Sequence, residues 1–402
     1  MIQVAVLGYG VVGSGVVEVI EENKAAVNQK AGNELNVKYI LDLRDFPGDP
    51  HEAKVVHDMN VILDDPEVKI VCETMGGVKP AYEYTKKALE KGKSVCTSNK
   101  ELVAKHGPEL LQIAKANDCN YRFEASVGGG IPIIRPINDC LTAEKIEQIT
   151  GILNGTTNYI LTKMERVGAD FETVLKEAQE LGYAERNPEA DVEGYDARRK
   201  IAILASLMMG KNVDSEQVFT EGITRITADD FVYAKAADMT IKLLASAKPV
   251  SEDEVLAMVT PCMISKENPL AMVNDVFNGI LVTGNMLGDA MFYGKGAGKL
   301  ATASAVVADV IDCARNMGRP LPCYWEDVDA KFASVDNVER SFFLRVEKSA
   351  ADAVLTAFPG AKEVVVADRT DTAYITAPVS EKACAEKCAA LGSALLGKIR
   401  LA

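Results

Sequence analysis

Between Gly182 and Lys200 the chain reads Gly-Tyr-Ala-Glu-Arg-Asn-Pro-Glu-Ala-Asp-Val-Glu-Gly-Tyr-Asp-Ala-Arg-Arg-Lys. Asp196 and Lys200 are four apart, so a helix sets them on one face. As an exposed pair they would be worth only about 0.3–0.5 kcal/mol, and a solvated helix face is the plain alternative. An acid-rich loop punctuated by Gly, Pro and Gly is nonetheless an unusual way into a helix unless it builds a site. Glu185 and Asp191 could hold an ammonium group. Lys200 could transfer a proton if neighbouring charge or burial lowers its pKa. Histidine is scarce, with only His51, His57 and His106 in the chain, so proton transfer falls to Lys, Asp or Glu.

Five further stretches carry chemistry. Gly8-Tyr9-Gly10-Val11-Val12-Gly13 follows an apolar run and opens a helical pattern. In that setting the glycines allow a tight turn, close approach to a pyrophosphate and tight helix–strand packing; the alternative is a glycine turn with no ligand. At the end of the second apolar run, Asp42 could accept from the ribose hydroxyls of NAD, and Arg44 could pair with the 2′-phosphate of NADP. Lys100, in Thr97-Ser98-Asn99-Lys100, sits where the carboxyl ends of parallel strands face a ligand, although a lone loop lysine is usually solvated. Glu124-Ala-Ser-Val127-Gly-Gly129-Gly-Ile131-Pro132 could wrap a hard cation with carbonyls and the Glu124 carboxylate, or serve as a hinge. Asn154-Gly155-Thr156-Thr157-Asn158-Tyr159 could present hydroxyls and amides to a ligand, or simply cap a helix through Thr156 or Thr157.

The elements that must position these residues follow from hydrophobic periodicity. Strands are expected at 2–8, 37–43, 68–73, 94–97 and 120–124, with helices at 13–22, 81–91 and 109–116 between them; this alternation implies a parallel sheet with crossover helices. A helix opened by Pro132 is expected over 131–145. Strands at 149–153, 255–264 and 280–286, with helices at 171–181, 198–209 and 228–245, suggest an α+β region on a mixed sheet. A long helix follows at 299–317, and 319–334 reads as a linker. The tail has the order βαββαβ: strand 342–346, helix 350–358, strands 364–367 and 373–376, helix 381–391 and strand 398–401.

The whole composition is that of a globular chain: 402 residues, 48% hydrophobic and 25% charged, long enough for two or three domains. The net charge of −14 disfavours nucleic acid or an anionic membrane surface as partner. Neither a basic leader nor an apolar run of about 20 residues is present, so a cytoplasmic protein is expected. The nine cysteines include no CxxC pair, which fits reduced thiols rather than zinc ligands.

The run Ala178, Gly182, Asn187-Pro188, Asp191, Gly194, Asp196 and Lys200 resembles the signature of the homoserine dehydrogenase family. The N-terminal glycine loop, Ser98-Asn99-Lys100, Glu124 with its glycine turn, Asn154-Gly155-Thr156, Gly294-Lys-Gly296-Ala-Gly298 and Thr302-Ala-Ser304 stand in the family's order, so the resemblance covers about residues 1–318. It implies an α/β fold with a Rossmann-type NAD(P)-binding domain over 1–132, completed by a helix at 299–318. A catalytic and dimerisation domain would span 133–298, a linker 319–340 and an ACT-like βαββαβ domain 341–402. The implied activity is reversible NAD(P)H-dependent reduction of L-aspartate 4-semialdehyde to L-homoserine, in threonine, methionine and isoleucine biosynthesis, by a homodimer or higher homo-oligomer.

Carried over residue by residue, the resemblance makes Lys200 the proton donor, with Asp196 beside it and Lys100 touching cofactor and substrate. Glu185 would hold the amino group, with Asp191, Asp196, Thr156 and Tyr183 around the substrate. Gly8, Tyr9, Gly10, Val11, Val12, Gly13, Asp42, Arg44, Thr74, Ser98, Lys100, Gly182 and Gly298 would line the cofactor. Glu124, Val127, Gly129 and Ile131 would bind a monovalent cation, sodium by type, three of them through carbonyls. The tail resembles ACT regulatory modules but has no glycine between its first strand and Gly360, so threonine feedback, dimerisation and a vestigial fold all stand as readings. Two rivals remain: another Rossmann dehydrogenase of aspartate-family aldehydes, and an NAD(P)-responsive sensor without turnover. A sensor has no need of Lys200.

Overall fold

The computed structural model describes residues 1–402, and the chain folds as two compact units. Residues 1–145, 202–215 and 294–330 form the first; residues 146–201, 216–293 and 331–402 form the second.

The first unit is built on six strands: β1 (Ile2–Leu7), β2 (Leu35–Leu41), β3 (Val55–Val56), β4 (Val68–Glu73), β5 (Ser94–Thr97) and β6 (Tyr121–Arg122). They lie in the order β3-β2-β1-β4-β5-β6, every pair parallel. The order reverses between β1 and β4, which opens a ligand crevice beyond their carboxyl ends. Val4, Val6, Ile40, Ile70, Cys72 and Cys96 are buried, because helices cover both sheet faces. The helix Lys299–Arg315 packs here against the helix Val11–Glu22, so closely that a Cβ on Gly15 would meet the Ala303 Cβ at 3.0 Å.

The second unit has strands β7 (Ile146–Ile152), β8 (Met239–Pro249), β9 (Glu254–Ser265), β10 (Phe277–Gly284), β11 (Gly288–Lys295), β12 (Phe342–Glu347), β13 (Lys362–Val364), β14 (Asp371–Ile375) and β15 (Leu395–Leu401). They form one sheet in the order β11-β10-β7-β8-β9-β15-β12-β14-β13. The sheet is mixed: β8 pairs antiparallel with β7 and β9, whereas β9 and β15 run parallel. The tail's four strands keep the order last-first-third-second, all antiparallel, which is the ferredoxin-like arrangement, and they extend the same sheet. No helix is long and apolar enough to cross a membrane.

Four expectations are corrected. The helix expected over 228–245 ends at Ala236; Asp238 takes a left-handed φ of 56°, and β8 begins at Met239. Thr240 to Ala245 are buried without a break, so β8 shows no polar alternation that would mark it as a strand. The helix expected over 131–145 is reduced to a wide π turn at Pro136–Cys140, with Pro136 at its first position, where the missing N–H costs little. The helix expected from 109 begins at Lys100 and carries Pro108 inside it, capped by the Asn99 side chain. Residues 319–330 are no free linker: Trp325 is 4% exposed and lies on Gly107, and Glu326–Asp329 pairs with Lys211–Asn212.

Candidate active site

In the first unit the glycine loop caps the crevice between β1 and β4. Gly8 takes φ +88°, open only to glycine at low cost, and a Cβ on Gly13 would collide with the Gly8 carbonyl oxygen. Thr74 Oγ1 donates to the Leu7 and Gly8 carbonyls, 2.9 Å each, so the loop after β4 holds the glycine loop in place. The Val11–Glu22 helix starts here, its first N–H groups facing the crevice as an anion seat. Val11 is exposed and Val12 half-buried, consistent with a loop whose backbone rather than side chains meets a ligand.

Asp42 follows β2. It accepts from the Tyr9 N–H at 2.8 Å and from Arg44 in a fork, 2.9 Å from Nε and 2.9 Å from Nη2. The guanidinium holds the Asp42 carboxyl well below the usual carboxylate range. Arg44 lies over the Phe46 ring, 5.0 Å away, with its side chain 62% exposed, and is open to an anion. The Tyr9 phenol is pushed up to about 12 by burial and the Asp49 carboxylate. Acid and base, offered by the sequence as alternatives, thus form one unit.

Lys100 begins the helix Lys100–Ala116 directly after Thr97-Ser98-Asn99. The Asn99 Oδ1 accepts from Leu102 N at 3.1 Å and its Nδ2 donates to the Gly77 carbonyl at 2.6 Å. Thr97 Oγ1 donates to Glu73, a fully buried carboxyl at the end of β4. Sequence reasoning missed Glu73; its signal was an acid closing the apolar run 70–72.

The glycine turn lies in the same unit. Gly128 and Gly129 take φ +73° and +55°, and a Cβ on Gly129 would meet Gly296 O at 2.5 Å, so the turn abuts the 294–298 run that ends at Gly298. The Glu124 carboxylate accepts from the N–H groups of Ile133 (2.6 Å), Ile134 (2.9 Å) and Arg135 (2.7 Å). It is therefore occupied as an anion cap. The buried carbonyls of Val127, Gly129 and Ile131 accept no backbone hydrogen bond, and such a set of oxygens suits a weakly charged hard cation. No cluster of three or more acidic, Cys or His side chains could hold a metal ion.

The second unit carries the acidic loop. Lys200 and Asp196 are 9% and 5% exposed, on the helix Tyr195–Met209. Lys200 Nζ donates to Asp196 Oδ2 at 2.6 Å and to the Leu153 carbonyl at 2.8 Å, so the carboxyl end of β7 and the helix jointly aim the ammonium. Asn154 Nδ2 bridges Asp191 Oδ1 (2.7 Å) and Asp196 Oδ2 (3.0 Å), while its Oδ1 caps the Gly155–Val167 helix at Thr157 N. Asn154, rather than Thr156 or Thr157, is therefore the cap, and its amide ties the two aspartates together. Thr156 Oγ1 donates to the Tyr183 carbonyl at 2.6 Å, and the Tyr183 ring tilts against Tyr159 with centroids 5.0 Å apart. Gly182 takes φ +76°, and Glu185 is exposed at the loop's tip. Asp191, Asp196 and Lys200 are therefore joined through Asn154, and Thr156 to Tyr183, whereas Glu185 is linked to none of them.

Comparison with known proteins places both units. The family model described as homoserine dehydrogenase matches residues 132–311, and that described as homoserine dehydrogenase, NAD binding domain, matches 8–124. The homoserine dehydrogenase of Synechocystis is 45% identical over 317 residues, 77% of this chain and 73% of that protein. That of Mycobacterium bovis is 40% identical over 362 residues, 88% of this chain and 82% of its own. A homoserine dehydrogenase structure from Thiobacillus denitrificans matches with TM-score 0.89 at 34% identity, covering 100% of this chain and 98% of that one. A hyperthermophilic archaeal homoserine dehydrogenase in complex with NADPH matches with TM-score 0.66 at 27% identity, over 80% of this chain and 99% of that one. With both family models matched, and relatives 45% and 40% identical over most of its length, the chain belongs to the homoserine dehydrogenase family.

Proposed function

We propose that the chain reversibly reduces L-aspartate 4-semialdehyde to L-homoserine, with Lys200 as the proton donor. The observation that carries this is the buried Lys200 ammonium, held at 2.6 Å by Asp196 and 2.8 Å by the Leu153 carbonyl. A dihydronicotinamide held at the crevice would supply the hydride. As that hydride reaches the aldehyde carbon, the C=O π pair moves onto oxygen, and Lys200 stabilises the charge and passes a proton to it. Asp196 positions the ammonium, and Asn154 ties that carboxylate to Asp191. Glu185 and Asp191 hold the substrate ammonium, while Thr156 fixes the Tyr183 backbone beside it. Lys100 contacts cofactor and substrate from the start of its helix.

Gly8 to Gly13, Thr74, Ser98, Gly182 and Gly298 receive the dinucleotide. NADP is favoured over NAD here, because Arg44 covers Asp42 and turns an exposed guanidinium outward; the NADPH complex of the archaeal relative supports the same cofactor. A sodium-type cation on the carbonyls of Val127, Gly129 and Ile131, with Glu124 beside them, would stiffen the glycine turn beside Gly296. The βαββαβ tail is ACT-like in chain and strand order, the working assembly a homodimer, and the nine free thiols suit the cytosol.

The test is homoserine-dependent formation of NADPH and NADH by the intact chain. Turnover with homoserine, with NADP+ used at the lower KM, is expected. Absence of turnover with either nucleotide would overturn the reading.

A further inference from the structure

Seven acidic side chains of this protein are buried, and six have an evident partner. Asp196, Asp230, Asp309, Asp371 and Glu381 each face a lysine or arginine, and Glu124 meets three backbone N–H groups. Glu73 is different. It is 0% exposed and has no lysine, arginine or histidine within ion-pair distance. Its Oε1 accepts from the Met75 N–H at 2.8 Å and its Oε2 from Thr97 Oγ1 at 2.5 Å. An unpaired buried charge is a liability for stability, so its place in the molecule calls for another explanation.

That place is the floor of the crevice, where β4 and β5 end side by side with Glu73 opposite Thr97. Thr97 Oγ1, donating to Glu73, is thereby oriented to accept the Asn99 N–H at 2.9 Å. Asn99 reaches back to the Gly77 carbonyl and forward to cap the helix that begins at Lys100. On the other side, Met75 lies against Gly8, whose added Cβ would meet Met75 Cγ at 3.0 Å. Thr74 holds the Leu7 and Gly8 carbonyls. A continuous chain of contacts therefore runs from the glycine loop through the loop at 74–77 and Glu73 to Thr97, Asn99 and Lys100.

We infer that Glu73 is a positioning residue for the dinucleotide crevice, its carboxylate clasping the loop after β4 to the loop after β5 so that Ser98 and Lys100 face the bound cofactor. The carboxylate form is required, because it accepts from both sides. A carboxamide must turn its NH₂ toward one of the two donors, and that donor loses its partner. The titratable group facing Glu73 is the buried Tyr121 phenol of β6, held well above its ordinary value by burial and then by the Glu73 charge. Burial likewise raises the Glu73 carboxyl, to about 7. The clasp is thus held in a form the fold itself does not favour.

The inference rests on the dehydrogenase reading, and direct titration of NADPH onto the protein separates the two. Wild type, E73Q, T97V, T97S and the E73Q/T97V double variant are compared by NADPH fluorescence titration and by thermal melting at pH 8. E73Q and T97V should each weaken NADPH binding about tenfold, the weight of one charge-assisted hydrogen bond. The double variant should lose no more than the worse single, since both cut the same clasp. T97S, which keeps the hydroxyl, should bind like wild type, and in turnover KM for the nucleotide should rise more than KM for homoserine. E73Q should melt no lower than wild type. NADPH affinity within twofold of wild type in E73Q and T97V, or losses that add in the double variant, would overturn the role. If E73Q fails to fold, the contrast of T97V with T97S decides alone. Failure of homoserine turnover with NADPH binding intact would sink the activity and leave this test standing.

Discussion

At Glu73 the sign of the pH dependence follows from burial. Its carboxyl is raised from an ordinary 4.5 to about 7 in the fold. Between those values the folded chain binds more protons than the unfolded one, so stability falls as pH rises from 4.5 to about 7 and stays lower above it. The loss is about 3 kcal/mol. Urea melts at pH 5 and pH 8 should therefore show E73Q gaining on wild type at the higher pH; equal differences at both would refute the ionised state. Arg44 makes the other prediction at this scale. R44A removes the fork on Asp42 and the exposed guanidinium, so KM for NADPH should rise about tenfold while KM for NADH changes little. Equal rises for both nucleotides would show that Arg44 does not read the 2′-phosphate.

At the scale of elements, legibility tracked the distance over which a residue finds its partners. The glycine loop and the Asp196–Lys200 spacing are local and could be read directly. The Asn154 bridge to Asp191 and Asp196 spans 37 and 42 residues, and the Glu73–Thr97 clasp 24, so no local pattern announces either. The strand β8 was hidden for another reason. It is buried along both faces and even carries Lys242, 1% exposed, whose ammonium burial drives down to about 8. Without polar alternation, its sequence continued the helical pattern of Ala228–Ala236. Asn154 allows the two jobs of its element to be separated. N154S keeps a good helix cap, so stability should move by less than about 1 kcal/mol. It cannot bridge both aspartates, so kcat/KM for homoserine should fall about tenfold, the loss of one hydrogen bond to a charged group. A fall in stability with unchanged kcat/KM would mean that Asn154 only caps.

At the scale of the molecule, the tail is part of the second unit's sheet rather than an appendage. β15 lies parallel to β9, and Arg400 meets Glu381 at 2.6 Å and Glu221 at 2.5 Å while itself 2% exposed. Removing one member of a buried ion cluster costs about 3–5 kcal/mol, so R400M should melt early in urea; a wild-type melt would show that the tail is held by strand pairing alone. The βαββαβ order was legible from the sequence, but its merging into the larger sheet was not, because strand pairing across about 140 residues leaves no local trace. The crevice of the first unit and the lysine of the second together make the central claim a chemical one: hydride transfer to an aldehyde completed by the Lys200 proton. It is tested most directly by kcat for homoserine oxidation at saturating nucleotide in K200A against wild type. The fall should be about 10²–10⁴-fold, the range of general acid–base catalysis, with KM for homoserine changing much less. A kcat undiminished in K200A would contradict it.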